Sequence, residues 1–245
     1  MLDPRVSMIN ERLNHVKRIL AVSGGKGGVG KSLVASTLSL ILARKNYRVG
    51  LFDVDFTSPS THAILGVGKI QLREEKGVIP VEVHGLKYVS IVAYSHDKPL
   101  PLRGVDISNA LTELFAVVRW DNLDFLIVDM PPGISDATLD IIRLVKGIEF
   151  LIVTSPSPLA FETVKKLAGL LTDLKVPVIG VLENMKMKES QYVKQQVAAM
   201  GFDFLGELPF DSTIEDALGH VDMLLNTDFA KKLDKIVSSK NFLKQ

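Results

Sequence analysis

Gly25-Lys26-Gly27-Gly28-Val29-Gly30-Lys31-Ser32 fits the spacing G-x-x-x-x-G-K-[ST] and carries a further lysine at its second position. Glycines lack a Cβ, so successive backbone N–H groups can turn inward around an anion. A helix that begins where such a loop ends adds its free N–H groups and the positive end of its dipole. Lys31 is then expected on the β- and γ-phosphates of a nucleoside triphosphate, and the Ser32 hydroxyl on Mg²⁺. The flanking sequence supplies the required context. Residues 18–23 are a short, mostly apolar run, and residues 32–44 are free of glycine and rich in Leu, Ala and Ser. Gly25, Lys26, Gly27, Gly28, Val29, Gly30, Lys31, Ser32 and Leu33 are therefore the expected nucleotide contacts.

Outward from this loop, strands and helices alternate. Strands are expected at 48–54, 124–129, 148–154, 177–182 and 203–208. Helices are expected at 4–16, 106–119, 136–146, 158–173, 189–200, 212–219 and 226–238. Continuous apolar strands such as Phe125-Leu126-Ile127-Val128 imply a sheet covered on both faces. Their alternation with helices implies an α/β fold with a doubly wound, mostly parallel sheet. Residues 78–83 and 86–92 read as a hairpin around His84-Gly85, and Pro99 to Arg103 as a loop. No repeat or linker interrupts the chain, so residues 1–245 are expected to form one domain.

Composition removes several chemistries. The 245 residues include no cysteine, which excludes disulfides, thiolate metal sites and cysteine nucleophiles for this sequence. The five histidines, His15, His62, His84, His96 and His220, show no metal-ligand spacing. The net charge of +1 offers no global attraction to nucleic acid, and no such partner is expected. No signal-peptide pattern or long apolar run is present, so a cytoplasmic location is expected.

Ligands of open α/β sheets sit at the carboxyl ends of the strands. Two acidic motifs fall there: Asp53-Val54-Asp55-Phe56-Thr57-Ser58-Pro59-Ser60, and Asp129-Met130-Pro131-Pro132-Gly133. Chemistry on Mg·ATP needs a carboxylate near the ion and a group that positions the attacking water. Asp129 suits the first role and Asp55 the second. Asp53 is expected to support Mg²⁺ or the loop, and Gly133 to offer its N–H to the γ-phosphate.

Together these residues resemble the deviant-Walker ATPases, the group containing MinD, ParA and the Mrp-type proteins, with the Mrp family the best match. The resemblance spans roughly Asn14 to Phe210. It also rests on Arg103-Gly104, Asp136, Val181-Leu182-Glu183-Asn184-Met185 and Gly206-Glu207-Leu208-Pro209-Phe210-Asp211. It implies a homodimer with ATP at the interface, Lys26 reaching across to the partner's phosphates as an arginine finger would. It also implies that Asn184 reads adenine, since an amide both donates and accepts, with Pro209 and Phe210 near the base. On this basis Lys26, Lys31 and Asp55 are the expected catalytic residues of an ATP hydrolase, whose turnover is expected to be slow.

Mrp-type proteins are linked to iron–sulfur cluster carriage, many through a C-x-x-C pair shortly after the Asn-Met segment. Here that region reads Lys186-Met187-Lys188-Glu189-Ser190-Gln191-Tyr192. A cluster role would require a cysteine-bearing protein partner. The alternative is a positioning ATPase acting on membrane or DNA. Leu225, Phe229, Leu233 and Ile236 make an apolar stripe with lysines nearby, but such a stripe more often docks on its own core, and membrane binding is not the favoured reading.

Overall fold

The computed structural model describes residues 3–95, 104–239 and 242. His96, Arg103 and the expected Pro99–Arg103 loop lie outside them. The elements are α1 (Pro4–Leu13), β1 (Val16–Ser23), α2 (Lys31–Arg44), β2 (Val49–Asp53), α3 (Thr61–Leu65), β3 (Arg73–Glu74), β4 (Val78–Ile79), β5 (Val81–Val83), β6 (Leu86–Ser90), α4 (Val92–Ser95) and α5 (Val105–Val117). They continue with β7 (Leu123–Asp129), α6 (Asp136–Leu144), β8 (Ile148–Thr154), α7 (Pro158–Asp173), β9 (Val178–Lys186), α8 (Tyr192–Ala199), β10 (Phe204–Pro209), α9 (Ile214–Ala217), α10 (Val221–Asn226) and α11 (Asp228–Val237).

An eight-stranded sheet runs in the order β10-β9-β8-β1-β7-β2-β6-β5. All its pairs are parallel except β5 with β6. Crossover helices require parallel strands to be covered on both faces, and two apolar layers do this. One packs α1, α5, α6, α7 and α8 on the sheet around Phe52, Phe115, Trp120 and Phe161. The other packs α2, α10 and α11 around Leu38, Tyr88, Phe125 and Phe229. Phe52 meets Phe115 edge-on and lies 5.3 Å from the Trp120 ring, centroid to centroid.

Several expectations shift. Helix α1 ends at Leu13, and Val16 opens β1 opposite Leu123 of β7 rather than extending a helical stripe. The run 78–83 is two strands: β4 pairs with β3 in a separate ladder and β5 with β6. Pro80 between them lacks the N–H that a continuous ladder needs. The β5–β6 turn is tight, and His84 and Gly85 both take positive φ, 51° and 80°, as a two-residue hairpin demands. Strand β9 runs to Lys186, well past 182, so Glu183 and Asn184 lie on the strand. The expected helix 212–219 shrinks to α9, and α10 follows it. On α11, Phe229, Leu233 and Ile236 are buried in the protein's own core. Among the described residues no helix is long and apolar enough to cross a membrane.

Candidate nucleotide site

Strand β1 lies between β7 and β8 and delivers its carboxyl end to the glycine-rich loop. Gly28 and Gly30 hold φ of 78° and 83°, values that side chains disfavour. Gly30 is the N-cap of α2, and no side chain caps it, so the helix's first N–H groups remain for a ligand. Gly25 fits only as glycine: a Cβ there would lie 2.1 Å from Thr163 Oγ1 of α7. Lys31 is 7% exposed, whereas Lys26 at the loop's tip is solvent-exposed.

A cavity of about 420 Å³ opens beside this loop. Gly27, Gly28, Gly30, Lys31, Ser32 and Leu33 line it from one side, and Asp55 from another. Sequence reading missed part of its wall. Ser58, Ser60 and Pro132 belong to motifs already singled out, but Ile64, Ile214 and Leu218 come from short helical segments that carry no phosphate signal.

The strand-end carboxylates sit behind the cavity. Asp53 and Asp129 are register partners on β2 and β7, and both are fully buried. Asp53 is held by its own loop: its Oδ1 accepts from the Asp55 N–H at 3.1 Å, and its Oδ2 from the Thr61 hydroxyl at 2.6 Å. The Thr61 oxygen is in turn 2.8 Å from the Tyr88 hydroxyl. Asp129 differs: neither of its buried oxygens has a well-formed hydrogen bond within the protein, and the nearby hydroxyl is that of Ser32. Burial, then the charge of Asp53, push its carboxyl well above the usual range, while nearby Ser32 and Lys31 favour the charged form. Burial likewise raises Asp53. A buried carboxylate left this way beside Ser32 is chemically suited to a hydrated divalent cation. No group of three His, Cys, Asp or Glu that could hold a metal occurs among the described residues.

Asp55 is 5% exposed. Its Oδ1 accepts from the Thr57 N–H at 2.9 Å, the Thr57 hydroxyl and the Ser58 N–H, which fixes the carboxylate's orientation. Two further residues are engaged within the protein. The Gly133 N–H donates to the Gly24 carbonyl at 3.0 Å, so it is not free for a phosphate in this arrangement. The Asn184 amide donates to the Val29 carbonyl at 2.9 Å, placing Asn184 directly behind the loop. Pro209 ends β10, and Phe210 is 57% exposed beyond it. Neither Gly133, Asn184, Pro209 nor Phe210 lines the cavity wall described above.

Strand order, loop and strand-end carboxylates define the class: a P-loop nucleoside triphosphatase with a doubly wound sheet. A family model described as ParA: NUBPL iron-transfer P-loop NTPase matches residues 15–240, and the chain belongs to this family. The sequence is 36% identical over 252 residues to the iron–sulfur cluster carrier protein of Aquifex aeolicus (strain VF5), covering 92% of this chain and 69% of that one. It is 35% identical over 261 residues to the iron–sulfur cluster carrier protein of Saccharolobus solfataricus, covering 96% and 87%. Identity to the Arabidopsis thaliana iron–sulfur protein required for NADH dehydrogenase, mitochondrial, is 34% over 220 residues, covering 84% and 70%. Among solved structures, the Archaeoglobus fulgidus nucleotide-binding protein in complex with ADP superimposes with a TM-score of 0.76 at 28% identity, covering 89% and 92%. The Pyrococcus furiosus cell division ATPase MinD shares the fold, with a TM-score of 0.66 at 21% identity, covering 90% and 96%. Nucleotide binding and hydrolysis are thus the general chemistry of the family to which this loop belongs.

Proposed function

We propose that the protein is a Mg·ATP-dependent homodimeric switch ATPase that serves iron–sulfur cluster assembly or carriage through a cysteine-bearing partner. The observation that carries the switch is the contrast between two lysines of one loop. Lys31 is buried against the phosphate site and Lys26 is exposed at its tip. A buried lysine neutralises phosphates within its own subunit, and an exposed one is free to do so in another.

In this reading the loop N–H groups and Lys31 bind the phosphates. Ser32 and Asp129 would hold Mg²⁺, which when bound would screen the phosphate charge. Asp55 orients the attacking water, its carboxylate fixed by Thr57 and Ser58. Asp53 acts as a positioning residue, since its oxygens already hold Asp55 and Thr61. Asn184 meets the adenine edge while keeping its bond to the loop, and Pro209 and Phe210 flank the base. Gly133 reaches a γ-phosphate only by giving up the Gly24 carbonyl, a rearrangement that couples nucleotide state to the segment before α6. Turnover is slow, because the site is complete only when two subunits meet.

Relatives named iron–sulfur cluster carriers support the cargo, and with no cysteine among these 245 residues the cluster ligands in this reading come from a partner. Sedimentation velocity with ATP, with ADP and without nucleotide tests the switch. The expected result is a dimer with ATP only, enriched by Asp55→Ala, which should also stop phosphate release. A wild-type monomer under all conditions, or undiminished phosphate release from Asp55→Ala, overturns the reading. Anaerobic reconstitution of the purified chain alone should yield no cluster absorbance.

A further inference from the structure

Strand β10 closes one end of the eight-stranded sheet, and among the described residues no strand pairs with its outer side. Helix α8 packs in the apolar layer on one face of the sheet and α11 in the layer on the other. The two helices therefore flank the open edge as walls, and between them runs a slot of about 420 Å³. Its floor is formed by Phe204, Leu205, Gly206 and Glu207 of β10, all half-buried. Gly206 keeps the floor low: a Cβ there would come within 2.8 Å of Ile236 Cδ1 on α11.

The walls are basic. Lys194 projects from α8, and Lys232 and Lys235 from α11, and all three are exposed. The carboxylates nearest in their own helices are used elsewhere, Asp228 pairing with Lys231 and Asp234 with Lys45. Glu207 on the floor pairs with Lys186 at 3.3 Å. No ion pair of the described residues engages the three slot lysines. The slot shares no lining residue with the nucleotide cavity.

An open strand edge offers backbone donors and acceptors, and it is satisfied by an extended peptide added as a further strand. Lysines on both walls select that peptide's charge. We propose that this edge is a docking site for a short, extended, acidic segment of a partner protein, which adds to β10 while its carboxylates meet Lys194, Lys232 and Lys235. The ladder from β10 to β9 is itself irregular between Phe204 and Gly206 and between Glu207 and Pro209. The added strand is therefore short, facing Phe204 to Glu207.

The test uses the full chain and a fluorescent peptide that alternates glutamate with valine or threonine, followed by anisotropy. Two control peptides carry lysine in place of glutamate, or N-methyl groups on alternate backbone amides. The acidic peptide should bind in a salt-sensitive manner, and the lysine peptide should not. The triple variant Lys194→Glu/Lys232→Glu/Lys235→Glu should weaken binding by at least about tenfold, as expected for three exposed charge contacts reversed together. Nucleotide affinity, unchanged in that variant, reports that it is folded. Single reversals at Lys194 and at Lys232, on opposite walls, should each weaken binding, which keeps the test open if the triple variant fails to fold. N-methylation should abolish binding, because it removes the ladder donors. Absence of acidic-peptide binding overturns the proposal. So does equal binding of the N-methylated peptide, which would reveal charge attraction without strand addition.

Discussion

Within one loop, four neighbouring positions obey different constraints. Gly25 is fixed by packing: an added Cβ would lie 2.6 Å from the Thr163 carbonyl carbon as well as against its hydroxyl. Backbone cannot swing away as a side chain can, so Gly25→Ala should cost about 1–3 kcal/mol of overpacking strain. It should lower both the thermal midpoint and ATP affinity. Gly27→Ala is the control. The nearest atom to its Cβ is 4.0 Å away, so its thermal midpoint should stay close to wild type even if nucleotide approach suffers. The lysines separate by burial. Lys31→Ala removes a buried cation facing the phosphates and should weaken ATP binding itself. Lys26→Ala removes an exposed one and should spare binding while abolishing ATP-dependent dimerisation or turnover. Fluorescent-nucleotide titration alongside sedimentation distinguishes the two, and equal effects on binding would contradict the division of labour.

The strands are tied together at the end of the sheet opposite the site. Asp124 at the start of β7 accepts from the Arg48 backbone N–H at 2.9 Å, just before β2, and pairs with Lys17 of β1 at 2.8 Å. Hydrogen bonds from Arg48, then from Lys17, hold its carboxyl far below the usual range. A depressed folded-state pKa means stability that is present above the unfolded value, about 3.9, and lost as the pH falls through that value towards the folded one. Asp124→Asn should therefore lower the urea midpoint at neutral pH and flatten its decline below about pH 4. An unchanged acid limb would mean that other carboxylates dominate. This junction carries no sequence pattern, because its partners are brought together only by the strand order. The apolar runs of β7 and β8 were legible because burial on both faces leaves little room for polar residues. The short α3 and α10 were not, and α9 was read as longer than it is, since one turn of helix has little periodicity to read. Pro80 was the overlooked signal that separates β4 from β5. Asp129 and Asp55 stood out in the sequence by lying at strand ends after a phosphate loop. Nothing there announced that Gly133 and Asn184 would be bonded to the loop itself, which depends on β9 running past 182 and on the approach of the segment after β7.

Parallel strands put every loop after a carboxyl end on one side of the molecule, and the rim of that side carries exposed apolar side chains. Ile134 follows β7, Leu159 follows β8, Met187 follows β9 and Phe210 follows β10, with exposures of 46%, 79%, 76% and 57%. These are large side chains, left open on the same side as the exposed Lys26. The apolar stripe of α11, by contrast, is buried against the protein's own core. Exposed apolar groups around a polar cavity mark an interaction surface, and a two-fold interface buries each residue twice. Burying one such side chain is worth about 1.5–3 kcal/mol, so losing Leu159 from both subunits should raise the dimer dissociation constant about 100-fold or more. The variant Ile134→Asp/Leu159→Asp tests this cleanly. Leu159 lies in the first turn of α7, where an aspartate suits the helix dipole, so the fold should tolerate it. The expected outcome is a protein with wild-type thermal stability and monomeric ATP affinity that stays monomeric with ATP in sedimentation velocity. If the double variant dimerises as wild type does, the subunits meet through another surface, and Lys26 has no neighbouring phosphate to reach.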